Sequence, residues 1–242
     1  MGEAALWGAV GASSLLLGAI LGIALTIPRV VIGLILGFGA GTLICAVTIE
    51  LTDEAFRLGG ADAVVIGLAL GALAYFAGDW AIERRGARDR MSSMGEQSEG
   101  SAAALLFGAV LDGIPESAVI GITLLEGSGV GIPVLAAVFL SNLPESISSS
   151  TGMKKAGSSI GHVLGVWSVV VLVGAVAAAL GYALLDSASD NAIGLIQAFA
   201  GGAVLTMLAD TMMPEAFKRG GNLVGLFTVL GFALAYLLTT LE

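Results

Sequence analysis

Eight stretches of this chain are long and apolar, and they leave almost no room for anything else. Residues 4–27, 30–49, 63–78 and 220–241 carry no charge. Residues 101–125 carry only Asp112 and Glu116, 129–153 only Glu145, 158–185 only His162, and 192–213 only Asp210. A helix that crosses a bilayer needs about 20 mostly apolar residues. In hydrocarbon every backbone polar group must be satisfied within the element, which restricts single spans to helices. The pattern therefore predicts an all-α integral membrane protein of eight transmembrane helices, with residues 1–242 forming one membrane domain. Charged residues are 12% of the chain, against about 25% in a soluble domain. The first apolar run lacks a basic flank, with Glu3 as its nearest charge, and is expected to be a retained helix rather than a cleaved signal.

The basic residues set the expected orientation. If the loops alternate sides and the N-terminus lies outside, the cytoplasmic connections hold Arg29, Arg84, Arg85, Arg88, Arg90, Lys154, Lys155, Lys218 and Arg219, nine of the ten Lys and Arg present. Only Arg57 falls outside. This obeys the positive-inside rule and places both termini on the extracytoplasmic side of a multi-pass protein of the cell membrane. Residues 84–100, polar and rich in Ser, Gly and Glu, read as a flexible cytoplasmic loop. The net charge of −9 offers no basic patch for nucleic acid. The single cysteine, Cys45, excludes an intramolecular disulfide and a cysteine-cluster metal site.

The chain also repeats itself. Without gaps, residues 38–60 align with 199–221: Phe38/Phe199, Gly41/Gly202, Glu54/Glu215, Ala55/Ala216, Phe56/Phe217, Gly59/Gly220 and Gly60/Gly221 are identical, and Arg57 matches Lys218. The register extends to Ala72-Leu73-Ala74-Tyr75 and Ala233-Leu234-Ala235-Tyr236. The second and third spans thus recur as the seventh and eighth. An odd number of spans separates each pair, so the copies are expected to be inverted, as in transporters that alternate access around a midplane site.

That midplane holds carboxylates. The fourth span contains Asp112-Gly113-Ile114-Pro115-Glu116-Ser117 and the fifth Ser141-Asn142-Leu143-Pro144-Glu145-Ser146. Asp112 and Glu116, four apart, share a helical face, as do Ser141 and Glu145. An ionised carboxylate at the bilayer centre costs roughly 2.5–3.5 kcal/mol even on lenient scales. No Lys, Arg or His within a span lies at matching depth, so the missing positive charge is expected to be a bound cation. Pro115 and Pro144 each lack the N–H that would bond the carbonyl four residues earlier, at Leu111 and Leu140. Carboxylates, an amide, a hydroxyl and freed carbonyls suit a divalent metal. A proton relay is the main rival within this reading. Kinked packing helices with protonated acids are the plain alternative.

Together these motifs resemble the ZIP family of divalent metal transporters, whose fourth and fifth helices carry roughly H-N-x-P-E-G and H/Q-x-x-P-E-G. The stretch Asp210-Thr211-Met212-Met213-Pro214-Glu215 is similar to the family's D-E-x-x-P-E. The resemblance spans the chain. It implies a 3+2+3 arrangement, with an inverted repeat of helices 1–3 and 6–8 around central helices 4–5. It also implies helices 1, 4, 5 and 6 working against 2, 3, 7 and 8, and in many members a homodimer. The substrate would be a divalent metal ion: zinc, iron, manganese or cadmium. The metal ligands expected are Asp112, Glu116, Ser141, Asn142 and Glu145. The chain departs from the family where Asp112 and Ser141 replace imidazole-bearing positions, where Leu43 replaces a methionine, and where Gly174 falls near a glutamate of the sixth helix. A single main site of oxygen donors follows.

Glu50, Glu54 and Asp210, near the mouths, are candidate vestibule ligands. Asp53 and Glu215 read equally as ordinary helix ends. His162 reads as a solvated or packing residue, Met207, Met212 and Met213 as adaptable packing, and Asp79 and Glu83 with Trp80, Arg84 and Arg85 as an interfacial anchor. No cofactor and no enzymatic activity are expected. The alternatives carried are a proton-coupled carrier of another small solute and, from a different class, an intramembrane hydrolase, which would need a nucleophile and base the sequence does not pair.

Overall fold

The computed structural model describes residues 1–84, 90–91, 102–126 and 129–240, and these are all-helical apart from turns and short connections. In chain order the elements are α1 (Gly2–Ala24), α2 (Arg29–Cys45), a π-helical stretch (Ala46–Thr52), α3 (Asp53–Ile82), α4 (Ala102–Thr123), α5 (Ile132–Lys155), α6 (Ile160–Leu185), α7 (Asp190–Met207), a second π-helical stretch (Leu208–Met212), α8 (Met213–Gly220), a 3₁₀ turn (Gly221–Leu223) and α9 (Val224–Thr239). Most of the segment expected to be a flexible loop, 84–100, lies outside the described residues. Arg90 and Met91, within it, are described and buried.

Six helical stretches among the described residues are long and apolar enough to cross a membrane. Two of them are far longer than one crossing needs: Arg29–Ile82 has 54 residues and Asp190–Thr239 has 50. Each folds back on itself. A Cβ at Gly201 on α7 would lie 3.3 Å from Val47 and 4.0 Å from Leu51, yet also 3.7 Å from Leu68. A straight helix at 1.5 Å per residue would hold Leu51 and Leu68 about 25 Å apart. The reversal is at Gly60, whose φ of 70° and ψ of −172° lie in a region essentially restricted to glycine. The other long stretch reverses the same way. Met212 packs at Gly39, Gly220 at Gly33, and Val224 back at Gly37, and Gly221 has φ 59° and ψ −147°. Gly60 and Gly221 are equivalent positions in the repeat, and so are the two π-helical stretches that precede them.

The sequence register does not survive the turn. Gly71 packs against the carbonyl of Phe199, and Gly231 against the carbonyl of Phe38. Phe38 and Phe199 are 161 apart, but Gly71 and Gly231 are 160 apart. The 3₁₀ turn after Gly221, absent after Gly60, accounts for the missing residue. Ala-Leu-Ala-Tyr therefore faces different ways in the two copies: Tyr75 is 2% exposed and Tyr236 is 47% exposed.

Packing groups the helices. α1 lies against α5 and α6, and α4 against α6, while α3 lies against α7, and α2 against α8 and α9 and also against α5. One apolar cluster, centred on Trp167 with Leu15, Ala109 and Met153, draws only on α1, α4, α5 and α6. Trp167 Nε1 donates to Ser150 Oγ at 2.7 Å inside it. Small residues let backbones close in. Gly18 of α1 and Gly39 of α2 meet α5 on either side of Pro144, at Ser146 and at Ser141.

Candidate functional site

The acids of α4 and α5 are buried, and Asp112 faces α3. Asp112, Glu116 and Glu145 are 2%, 3% and 5% exposed, and Ser141 and Asn142 are also buried. Glu145 lies within electrostatic reach of Asp112, Glu116 and Arg90. Among the described residues neither oxygen of Glu116 has a hydrogen-bond partner, a costly condition for a buried carboxylate. The Ser141 hydroxyl donates to its own helix at the carbonyl of Val138, 3.0 Å away.

Asp112 is held differently. Arg90 grips it with a two-point fork, Nε to Oδ2 at 2.9 Å and Nη2 to Oδ1 at 3.0 Å. Tyr75 donates its hydroxyl to Oδ1 at 2.5 Å, and Arg90 Nη2 reaches the Tyr75 oxygen at 2.9 Å. Asp79 Oδ1 stands 2.7 Å from Nη2 without hydrogen-bond geometry, so that contact is ionic. Thr211, in the second π-helical stretch, accepts from Nη2 at 3.3 Å. Arg90 is seated by its backbone as well: Ser149 Oγ donates to its carbonyl at 2.7 Å, and Ser148 Oγ to that of Met91 at 2.5 Å.

Two expectations change here. The spans hold no basic residue at this depth, but a loop residue supplies one, so Asp112 has its positive partner within the chain. Asp79 is no interfacial anchor. It continues the buried face Ala63, Gly67, Gly71, Tyr75, four residues apart, into the site. Arg84 does stack on the Trp80 ring, 3.8 Å from its centroid, as an anchor would. Arg85 lies outside the described residues. Asp112, one of the five expected ligands, is turned toward Arg90 and Tyr75. Among the described residues no group of three or more His, Cys, Asp or Glu is close enough to hold a metal ion. Tyr75, Asp79, Arg90 and Thr211 are the site residues that sequence reasoning missed.

The remaining candidates fall at the mouths. Glu50 accepts from the Thr239 hydroxyl at 2.8 Å. Glu54 pairs with Arg57 at 2.5 Å, as does exposed Asp53 at 3.3 Å. Asp210 lines a cavity of about 350 Å³ with Asp79, Glu83 and Trp80. Glu215 pairs with Arg219. His162 is exposed, and Leu43, Met207 and Met212 are buried in the core. Gly174 carries close packing: a Cβ there would lie 2.8 Å from Ser117 Oγ and 3.2 Å from Ala12.

The two mouths correspond through the repeat. Thr211 matches Glu50 at 161 residues, and Thr239 matches Asp79 at the slipped spacing of 160. A π-stretch acid bonds a helix-end hydroxyl at one end, and at the other a helix-end acid and a π-stretch hydroxyl both meet Arg90. Arg90 stands only in the second. No protein-family model matches this chain, and no curated protein matches it.

Proposed function

We propose that this protein carries divalent metal cations across a membrane through the buried carboxylates of α4 and α5, in the manner of the ZIP family. The observation that carries the reading is the charge balance. Asp79, Asp112, Glu116 and Glu145 are all buried, one guanidinium pairs with the first two, and among the described residues neither oxygen of Glu116 has a hydrogen-bond partner. Intramembrane acids are functional by default, and an excess of them calls for a cation. In this reading the two long helical stretches each cross twice, giving eight crossings, and the termini lie outside. The donors are all oxygen, so the preference for zinc that imidazole brings is weakened and the carrier accepts several divalent ions. No nucleotide-binding loop of the GxxxxGK[ST] type is present in the sequence, so the gradient rather than ATP would drive uptake.

The test is uptake of zinc(II) and manganese(II) into proteoliposomes by the full chain and by Glu116→Gln and Glu145→Gln. The reading expects uptake by the native protein and its loss in both variants. Near-normal uptake by both would overturn it. A proton-coupled carrier of another solute is favoured by one observation, the absence of a metal-ready cluster among the described residues. It predicts no metal uptake and a proton flux that Glu116→Gln removes.

A further inference from the structure

Arg90 does more than neutralise a buried acid. Both Asp112 oxygens are occupied, Oδ2 by Nε and Oδ1 by Nη2 and the Tyr75 hydroxyl. A carboxylate offers about four lone-pair positions, and three are used. A cation bound to either oxygen would sit within a few ångströms of the guanidinium, in surroundings where like charges repel strongly. The guanidinium is a planar, weakly hydrated ion that matches a carboxylate at two points. It is also the only basic side chain among the described residues seen within the acid cluster.

From this geometry we propose that Arg90 is a tethered rival of the transported cation, so that the Arg90–Asp112 pair and a cation on Asp112 exclude each other. The inference rests on the transport reading above and adds what sets affinity and charge selection in that site. When Arg90 leaves, Asp112, Asp79, the Tyr75 hydroxyl and Thr211 are all released as oxygen donors. The arriving ion must therefore outcompete a fixed single positive charge, which a divalent ion does more readily than a monovalent one. Arg90 also ties helices together: Asp112, Ser148 and Ser149 belong to α4 and α5, Tyr75 and Asp79 to α3, and Thr211 to the second π-helical stretch.

The test is equilibrium dialysis of manganese(II), and separately zinc(II), against the purified full chain, with folding followed by size-exclusion and thermal unfolding. Arg90→Gln is expected to bind manganese(II) about ten-fold more tightly or better, within the usual range for coupled sites, with no change in the number of ions bound. Arg90→Lys, which keeps the charge but not the fork, falls between. Equal or weaker binding by Arg90→Gln overturns the inference and leaves the transport reading standing. Absence of binding by every variant, the native protein included, sinks the transport reading and this inference with it. If Arg90→Gln does not fold, Ser149→Ala decides. It removes only the bond to the Arg90 carbonyl, and it should tighten binding about two- to five-fold. An unchanged affinity in Ser149→Ala then overturns the proposal.

Discussion

The Tyr75 hydroxyl donates to Asp112 Oδ1 across 2.5 Å and so fastens α3 to α4. The same oxygen accepts from Arg90, so Tyr75→Phe leaves a buried guanidinium and a buried carboxylate each short of one partner. Orphaned buried polar groups cost about 1–3 kcal/mol, and that loss should be read in thermal unfolding of the detergent-solubilised protein. Tyr236→Phe, at the sequence-equivalent but exposed position, should stay within about 0.5 kcal/mol of native. Equal effects from the two variants would contradict the one-residue slip between the repeat halves.

The acids of α4 should respond with opposite signs. Asp112→Asn removes the charge that the Arg90 fork holds. Breaking a buried ion pair typically costs about 3–5 kcal/mol, and because Asp79 remains beside Arg90, about 2–3 kcal/mol is expected here. Glu116→Gln removes a carboxylate with no partner and should stabilise the metal-free protein. At about 2–4 °C per kcal/mol for a chain of this size, thermal unfolding in chelator resolves the difference. A fall in stability for Glu116→Gln would mean that its charge has a partner in the native state.

Much of this was legible in the sequence, for identifiable reasons. Uncharged runs announce helices because hydrocarbon admits little else, and the matched Gly59-Gly60 and Gly220-Gly221 pairs, legible only as part of the repeat, fall at the reversals. Pro115-Glu116 and Pro144-Glu145 drew attention to α4 and α5. Arg90 was invisible because its placement depends on long-range contacts with Ser148, Ser149 and Asp112, and nothing local separates it from Arg84, Arg85 or Arg88. Asp79 could have been found. It continues a four-residue spacing of small residues from Ala63 through Gly67 and Gly71, which marks a packed face. Its neighbours Trp80 and Arg84 suggested an interface instead. The slip after Gly221 was hidden because Ala-Leu-Ala-Tyr aligns perfectly in sequence, while a 3₁₀ turn displaces it by one residue.

Glycines at the reversals and at the crossings should fail for different reasons. A Cβ at Gly60 or Gly221 meets nothing within 4 Å, so alanine there incurs only the backbone penalty, about 1–3 kcal/mol. At Gly202 and Gly41 a Cβ would drive into the carbonyls of Leu68 and Thr228. Overpacking of this kind costs typically about 1–3 kcal/mol and sometimes more, and here the obstacle is backbone that cannot rotate away. Gly202→Ala should therefore be the more damaging variant in expression yield and unfolding temperature, and parity with Gly60→Ala would argue against the close α3–α7 crossing.

Sidedness is open to direct labelling. Thr26 and Ser187 are both exposed, and native Cys45 is buried, which keeps the background low. Thr26→Cys should react only after the membrane is permeabilised, and Ser187→Cys in intact cells. Reaction of both from the same face would break the arrangement of eight crossings.

Ligand hardness should govern the choice of metal. Asp112→His brings imidazole to α4, and borderline ions such as zinc favour nitrogen where manganese does not. Competition uptake should move toward zinc by about ten-fold, one order of magnitude in the affinity ratio. An unchanged ratio would remove Asp112 from the coordination sphere.

The slip of one residue after Gly221 reaches well beyond local packing. Two exactly inverted halves would build a device indifferent to direction, with equal barriers for entry from either face. Here one end pairs Glu50 with Thr239 and carries no basic side chain in that contact, while the other holds Asp79, Tyr75 and a guanidinium already in place. An ion arriving at the first encounters attraction, and an ion arriving at the second encounters a like charge. If the protein carries cations as proposed, loading one face at a time at the same concentration should give initial rates that differ with the face loaded, a kinetic asymmetry that follows from the broken symmetry.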